Sequence, residues 1–288
     1  YAMKANFNSE VIKILTALGS GIDVVSGGEL EKSIKNGAEK KKIVFSGIGK
    51  TTDEITYAIR KNIKQINVES IEELNEIDIL CKKIKKKVNI CLRINPDVDA
   101  NTHEKISTGR SEDKFGIADH YILDLFKKYK ENKYITIIGL SMHIGSQIES
   151  LNPFKQAFSK LKKQVISLRK LGYKITSLDL GGGVGIKYNK DNRLIDIKNY
   201  ARLIEEYFSN FNTEIIIEPG RFLVGSSGII LSRVIRVKEG KNKKFLIIDA
   251  GMDKLIRPAL YGAVHDIIPV KLSKNSKSNS YDVVGPIC

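Results

Sequence analysis

The chain has 288 residues, of which 42% are hydrophobic, so it can bury one large core or a core with a satellite domain, and an intrinsically disordered chain is excluded. The net charge of +15 would attract anions, but the densest lysine runs, 40–42 and 82–87, fall on expected helix ends and solvent faces, which favours a solvated lysine-rich surface over a nucleic-acid-binding one. No run approaches the roughly 20 apolar residues of a membrane span, residues 1–6 lack a signal-peptide layout, and the three cysteines lack metal-ligand spacing, so we expect a cytoplasmic protein without a zinc site.

Short β-rich runs alternate with amphipathic helical patterns over most of the chain. This order predicts parallel strands joined by helices. If Tyr1–Lys4 is the end of a strand, the strand-like runs number eight, as in an α/β fold of the (β/α)8 TIM-like barrel type, although a doubly wound sheet is an alternative on pattern alone. The other runs are, in chain order, 22–26, 43–47, 65–69, 88–95, 135–144, 177–180 and 214–218.

The pattern changes after Arg221. The strand-like runs 229–237 and 245–249 follow a glycine-containing loop and have no long helix between them. We therefore predict that the barrel occupies residues 1–221 and that part of a β-rich second domain occupies residues 222–288.

The opening segment, YAMKAN, places Lys4 at the end of a barrel strand, where its side chain would point into the mouth of the barrel. A desolvated lysine at this position can hold a carbonyl cofactor as a Schiff base. The alternative is an ordinary solvated lysine, so the interpretation depends on the motifs that follow.

The segment HIGSQ, residues 143–147, ends another strand. It supplies an imidazole, on which a flat ring could stack, and the hydroxyl of Ser146. The alternative is that His143 is a buried histidine whose ring bonds to the backbone and that Ser146 is an ordinary loop serine.

Three consecutive glycines occur in DLGGGVG, residues 179–185. Exposed backbone N–H groups in such a turn can surround an anion, and barrels often hold phosphate at this place. The spacing is not that of a dinucleotide-binding motif, and a tight strand-to-helix turn is the alternative.

The segment EIIIEPGRF, residues 214–222, places Glu218, a bend at Pro219 and Gly220, and Arg221 at the end of the eighth strand. A carboxylate beside a pyridine nitrogen keeps that nitrogen protonated and makes the ring an electron sink. The alternative is an ion pair between Glu218 and Arg221 across the turn.

These motifs, with the final GPIC, occur in the order and approximate spacing of the fold-type III pyridoxal-phosphate decarboxylases, which the chain resembles over essentially its whole length. Within that group, the runs 95–117 and 249–265 and GPIC resemble the diaminopimelate decarboxylase family more than ornithine or arginine decarboxylases. The resemblance implies decarboxylation of meso-2,6-diaminopimelate to L-lysine, the last step of lysine biosynthesis.

The resemblance also implies pyridoxal 5'-phosphate as the cofactor and a role for each matching residue. Lys4 would bind the cofactor covalently, His143 would stack on its ring, and Glu218 would face the pyridine nitrogen. Asp23, Ser26 and Glu29 resemble another motif of the barrel mouth, without an assigned role. The residues expected to contact or border the phosphate are Ser146, Gly182, Gly183, Pro219, Gly220 and Arg221.

Substrate and partner expectations follow from the same resemblance. Arg221, Arg257 and Tyr261 match positions that grip substrate carboxylates, in keeping with the planar fork of a guanidinium. Cys288 matches a cysteine that reaches the neighbouring subunit's active site and is implicated in proton delivery. A homodimer with shared active sites is therefore expected, with no nucleic-acid or membrane partner.

Three alternatives share this sequence pattern to different degrees. A decarboxylase of another basic amino acid or of carboxynorspermidine would use the same cofactor machinery, and a racemase of this fold typically places arginine where Glu218 stands. A non-catalytic cofactor-binding homologue would lose key residues, whereas Lys4, Glu218 and Cys288 are present. Compared with the family, the chain is expected to be truncated at both ends.

Overall fold

The computed structural model describes residues 1–100, 108–109, 113–188, 194–271 and 279–287. The chain divides into two compact units. Unit 1 comprises Tyr1–Ile186 and Arg193–Ser226, and unit 2 comprises Lys187–Asn192 and Ser227–Cys288.

Unit 1 is built on a parallel sheet that, in the described residues, has seven strands in sequential order, β1 to β7. Helices between consecutive strands are the crossovers that parallel neighbours require. The strands are β1 (Ile22–Val24), β2 (Ile43–Phe45), β3 (Gln65–Val68), β4 (Val88–Arg93), β5 (Ile135–Ser141), β6 (Ser177–Asp179) and β7 (Glu214–Ile216). The helices are α1 (Ser9–Ala17), α2 (Gly27–Lys35), α3 (Thr52–Lys61), α4 (Ile71–Ile84), α5 (Asp119–Tyr129), α6 (Asn152–Lys170), α7 (Ile197–Phe208) and α8 (Arg221–Val224).

The first residues of the chain close this sheet into a barrel. Ala2 forms a parallel bridge with Asp23 of β1, and the N–H of Asp23 donates to the carbonyl of Tyr1 at 2.8 Å. On its other side, the N–H of Ala2 donates to the carbonyl of Pro219, just after β7, at 3.1 Å. Tyr1 and Ala2 thus occupy the eighth strand position, and the predicted (β/α)8 TIM-like barrel is confirmed.

The helices that follow β1, β2 and β3 begin with the same arrangement. A serine or threonine side chain accepts the N–H of a glutamate three residues later, and that glutamate's carboxylate accepts a backbone N–H at or just before the cap. This reciprocal bonding satisfies backbone donors that a helix start leaves free, and it fixes each helix to the end of its strand. The caps are Ser26, Thr51 and Ser70, and the glutamates are Glu29, Glu54 and Glu73.

The apolar core of unit 1 lies between the strands and the inner faces of the helices. An aromatic cluster joins α6 to α7: the ring of Phe154 lies 5.0 Å from that of Tyr200, and Phe158 lies 5.4 Å from Phe208, both edge to face. Such pairs add about 0.5–1.5 kcal/mol beyond the burial of their surface. The core thereby holds the strands in register, so that the loops at their carboxyl ends have a fixed base.

Unit 2 is β-rich. Its strands β8 (Val234–Glu239) and β9 (Lys244–Ile248) are antiparallel, and β10 (Asp282–Val284) lies parallel to β9. The short helix α9 spans Arg257–Tyr261. Among the described residues of this unit, none is fully buried.

Across the described ranges of both units, no helix combines the length and the apolar character that crossing a bilayer requires.

Candidate active site

Lys4 lies at the mouth of the barrel, in the short 3-10 helix Met3–Ala5 that follows the closing residues. Its side chain is 49% exposed, and Nζ lies 3.4 Å from Oδ2 of Asp23, whose side chain is 3% exposed. Burial lowers the pKa of Lys4, but the negative charges of Asp23 and Glu218 raise it, and the net pKa is above its ordinary value. Lys4 is therefore a cation held among acids at the opening.

Glu218 lies inside the barrel, two residues after β7, and is 8% exposed. Its Oε1 accepts a hydrogen bond from the hydroxyl of Ser46 at 3.3 Å, and its carboxyl group interacts electrostatically with that of Asp179, the last residue of β6. Burial, followed by the charges of Asp179 and Asp23, raises the pKa of Glu218 well above its ordinary value. The carboxyl group thus favours its protonated form.

Asp179 is completely buried beneath Glu218. Its Oδ2 accepts from Nδ2 of Asn67 at 2.8 Å, and its Oδ1 accepts from the N–H of Gly181 at 3.0 Å. Asn67 is itself fixed by the side chain of Gln65, which accepts from Ser177. Because Asp179 receives these donors, it is the carboxyl group of the pair that can carry the charge.

His143 lies two residues after the end of β5, and its ring is neutral. Its Nδ1 accepts the N–H of Gly182 at 3.1 Å, which leaves the ring proton on Nε2. Burial, together with the positive charges of Lys4 and Arg93, lowers the pKa of His143 well below its ordinary value. The imidazole therefore presents a flat, uncharged face at the barrel mouth.

The backbone of His143 is anchored from β4. Arg93 donates to its carbonyl oxygen at 3.4 Å and forms a buried ion pair with Glu69 at 2.7 Å. Glu69 also accepts the N–H of Gly47 at 2.9 Å. These contacts connect the carboxyl ends of strands β2, β3, β4 and β5 beneath the barrel opening.

The three consecutive glycines after β6 pass so close to neighbouring backbone that no side chain fits. A Cβ on Gly182 would lie 2.2 Å from the carbonyl oxygen of Glu218, and one on Gly183 would lie 2.4 Å from that of Gly145. Gly183 also has φ +105°, which glycine adopts without strain. Because these glycines have no side chains, the backbone of the turn is uncovered on the side of the barrel opening.

Gly220 makes a similar close approach on the other side of the opening, where an added Cβ would lie 3.2 Å from that of Ala2. Arg221 begins α8 and donates from Nη1 to Oε1 of Gln147 at 3.1 Å. Ser146 precedes Gln147 in the same turn and is partly buried. The guanidinium of Arg221 is thus fixed to the turn that follows His143.

Within unit 2, Arg257 is the first residue of α9. Its guanidinium stacks 4.3 Å from the centre of the Tyr188 ring and lies 2.9 Å from Nε2 of His265. In the described part of the chain, Nε of Arg257 is buried without a hydrogen-bond partner. Tyr261 ends the same helix.

Comparisons with known proteins identify the family. The family model described as "Pyridoxal-dependent decarboxylase, pyridoxal binding domain" matches residues 1–225. A diaminopimelate decarboxylase of Aquifex aeolicus is 42% identical over 294 residues, covering 100% of this chain and 68% of the relative, and one of Neisseria meningitidis is 42% identical, covering 100% and 70%. The crystal structure of diaminopimelate decarboxylase from Helicobacter pylori complexed with L-lysine superimposes with a TM-score of 0.95 at 40% identity, over 100% of this chain and 72% of that one.

The chain belongs to the diaminopimelate decarboxylase family. The cofactor of this family is pyridoxal 5'-phosphate, and the residues at the barrel mouth fit it. Among the described residues, Asp23 has one buried oxygen, Oδ1, without a hydrogen-bond partner, while its Oδ2 contacts Nζ of Lys4. The glycine turn brings backbone without side chains to the opening, so that a phosphate can approach it closely, and His143 offers a neutral ring face for the ring of the cofactor.

The motifs singled out in the sequence supply most of the residues at this opening. The structure brings Lys4, His143, Glu218 and the glycine turn to one opening. Cys288 lies outside the described residues.

Sequence reasoning did not single out several residues that support the site. Asp179 and Gln147 stand inside the quoted motifs but received no role. A charged residue ending a buried apolar strand is a usable signal for Asp179, since such groups are rarely buried without a partner. Arg93, Glu69 and Asn67 come from strands that carry no motif, and only the closed barrel shows that they contact the site.

Proposed function

We propose that the chain catalyses the decarboxylation of meso-2,6-diaminopimelate to L-lysine and carbon dioxide, with pyridoxal phosphate bound at Lys4. The observation that carries the proposal is the joint placement of Lys4, Asp23 and Glu218 at the mouth of a barrel whose relatives are diaminopimelate decarboxylases. A small amino acid is accordingly the partner.

The cofactor-holding roles follow from the chemistry of each group. Lys4 supplies the amine for covalent attachment, His143 its neutral ring for stacking, and Glu218 a carboxyl group for the pyridine nitrogen. When bound, pyridoxal phosphate supplies an electron sink for the carbanion that loss of carbon dioxide leaves. We assign binding of the phosphate group to residues in and beside the two glycine-containing turns. These residues are Ser146, Gly182, Gly183, Pro219, Gly220 and Arg221.

Before reaction, Lys4 has to lose a proton to act as a nucleophile. Asp23 lies 3.4 Å from Nζ and holds the ammonium in position at the opening. Whenever the Lys4 amine is not joined to the cofactor, the buried carboxylate of Asp23 would keep it near this position. We assign protonation of the former α-carbon to Cys288.

Substrate recognition is assigned to Arg221, Arg257 and Tyr261. Both guanidinium groups are held by neighbours, Arg221 by Gln147 and Arg257 by Tyr188 and His265. A guanidinium fixed in this way loses little conformational freedom when it binds a carboxylate. The two arginines would therefore favour a substrate that carries a second amino-acid group, with its carboxylate, at the end that does not react.

We further propose a homodimer that shares its active sites, and action in the cytoplasm. The free, buried thiols of Cys81 and Cys91 support a reducing compartment. A symmetric pair is the commonest arrangement among soluble oligomers.

The first test measures absorbance in the visible cofactor band for the full chain and for Lys4→Ala, with exposed Lys13→Ala as the matched control. The band is expected in the wild type and in Lys13→Ala and to be absent from Lys4→Ala. Carbon dioxide release is then measured from meso-diaminopimelate, ornithine and arginine, with release expected from the first alone.

The other outcomes point to the alternatives. Release from ornithine or arginine would identify a decarboxylase of another basic amino acid. A Lys4-dependent band without release from any substrate would identify a non-catalytic homologue, and absence of the band would refute the cofactor assignment.

A further inference from the structure

Two carboxyl groups from neighbouring strands lie together inside the barrel of unit 1. Asp179 ends β6, and Glu218 follows β7, which pairs with β6 in register. The two carboxyl groups are close enough that each shifts the pKa of the other, and both side chains are buried. Since the interior positions of such barrels are mostly filled by branched apolar side chains, a pair of acids here needs a specific explanation.

Polar side chains from the opposite wall of the barrel reach across to this pair. Asn67 of β3 donates to Asp179 at 2.8 Å, and Ser46, after β2, donates to Glu218 at 3.3 Å. Asn67 also donates to Ser46 at 3.1 Å, so the two contacts are linked. The cross-barrel bonds orient both carboxyl groups.

Two adjacent buried carboxyl groups cannot both be charged, because the repulsion and the loss of hydration are too costly. One proton between them removes the conflict. Asp179 already accepts from Asn67 and from the N–H of Gly181, so it is stabilised as the anion, whereas Glu218 is the partner that donates. Besides Asp179, the charged groups that interact with Glu218 include Lys4, Asp23 and the N-terminal ammonium of Tyr1.

We propose that Asp179 is a positioning residue that holds a proton-carrying Glu218 in the cofactor-free protein, and that Glu218 passes this proton to the ring nitrogen of pyridoxal phosphate on binding. This deepens the proposed function and rests on the assignment of Glu218 to that nitrogen. The Oε–H bond of Glu218 breaks, the nitrogen lone pair forms the new N–H bond, and Glu218 becomes a carboxylate beside a pyridinium. No oxidant or further reactant takes part.

Infrared spectroscopy of the full chain at neutral pH tests this directly, because protonated and ionised carboxyl groups have different stretching bands. Without cofactor, the wild type is expected to show a protonated-carboxyl band that Glu218→Gln removes and that shifts on ¹³C-labelling of glutamate. Asp179→Asn is expected to remove the band as well, because the asparagine amide donates to Glu218 and favours its charged form. Asp124→Asn, at an exposed position, is expected to retain it.

Adding pyridoxal phosphate is expected to abolish the band in the wild type. Persistence of the band in Asp179→Asn, its absence from the cofactor-free wild type, or its survival after cofactor binding would each overturn the proposal. If Asp179→Asn fails to fold, the labelled wild type and Glu218→Gln still decide where the proton lies. The Lys4-dependent visible band is recorded in parallel: its absence would refute the proposed function, whereas the cofactor-free spectra would still test the shared proton.

Discussion

Three carboxyl groups surround one ammonium group at the barrel mouth, and their unequal surroundings give them different chemistry. Asp23 lies beside Lys4, and Asp179 accepts a hydrogen bond on each of its two carboxylate oxygens. Glu218 lies deeper than Lys4 and next to the carboxyl group of Asp179. Burial and hydrogen-bond partners thus give the same functional group different roles. As a result, one site can hold the ammonium group of Lys4 beside a protonated carboxyl group.

The raised pKa of Glu218 makes a prediction about stability and pH in the cofactor-free protein. Above the ordinary carboxyl value of 4.5, the folded state binds a proton at Glu218 that the unfolded chain has released. The free energy of unfolding should therefore fall as pH rises from that value through the raised pKa. Glu218→Gln should lose this part of the decline, so that the variant gains stability relative to the wild type as pH rises from 4.5 towards the raised pKa of Glu218.

Urea unfolding midpoints of both proteins across this range check the prediction. Glu206→Gln, at an exposed position of α7, is the control and should run parallel to the wild type. Parallel curves for Glu218→Gln and the wild type would show that Glu218 ionises at its ordinary pKa.

At the scale of single residues, sequence reasoning found the groups that carry distinctive chemistry within a motif, such as Lys4 and Glu218. It could not find Asn67 or Arg93, because their importance comes from contacts across the barrel. Neither residue type nor spacing along the chain encodes which strands face each other across the interior.

At the scale of elements, the site depends on two turns that bring backbone into close approach. The turn after β6 passes against the carbonyl of Glu218, and the bend after β7 passes against Ala2. Glycine allows both because it has no Cβ. These turns hold the loops after β6 and β7 and the first residues of the chain close together.

Gly182→Ala tests this close approach. The new Cβ would meet backbone at 2.2 Å, so the turn must shift, which is expected to cost about 1–3 kcal/mol of unfolding free energy and to weaken pyridoxal phosphate binding at least tenfold. Gly49→Ala is the matched control, because its Cβ would meet nothing within 4 Å, and its stability should stay within about 0.5 kcal/mol.

Chemical unfolding and cofactor titration of the two variants provide the measurement. Equal cofactor affinity in Gly182→Ala and the wild type would mean that the turn is not part of the cofactor site.

Element order was predictable from the sequence because alternating apolar runs and helical periodicity reflect burial directly. The seven predicted strands after the first have counterparts in the structure, whereas the expected strand end at Tyr1–Lys4 is reduced to a bridge at Ala2, and Lys4 lies in the 3-10 helix that follows. In unit 2 the expected strand at 229–237 begins only at Val234, since its pairing with β9 covers Val234–Glu239. Apolar residues signal a preference for burial, but hydrogen-bonded pairing decides where a strand starts.

At the scale of the whole molecule, the two units differ in how much apolar surface they bury. Unit 1 has a continuous core, whereas many large apolar side chains among the described residues of unit 2 are exposed and those of β9 are only partly buried; Ile229 is 91% and Ile268 is 81% exposed. Local stability follows buried apolar contacts, so unit 2 is expected to open far more readily than unit 1.

Limited proteolysis with trypsin checks this expectation. The first cuts should fall after lysine or arginine residues beyond residue 226 and leave a resistant fragment that contains the barrel. Mass spectrometry of that fragment also tests the domain boundary that we propose at residue 222. First cuts within α3 or α4 would contradict the expected order of stability.

The seam formed by Tyr1 and Ala2 joins the first and last parts of unit 1. Lys4 is only two residues from this seam, and Glu218 directly precedes the proline that completes it. Contacts between residues so far apart along the chain form late in folding, because a long loop must be closed first. The colour of bound cofactor would therefore report completion of the barrel, and a chain that had formed its helices but left the seam open would stay colourless.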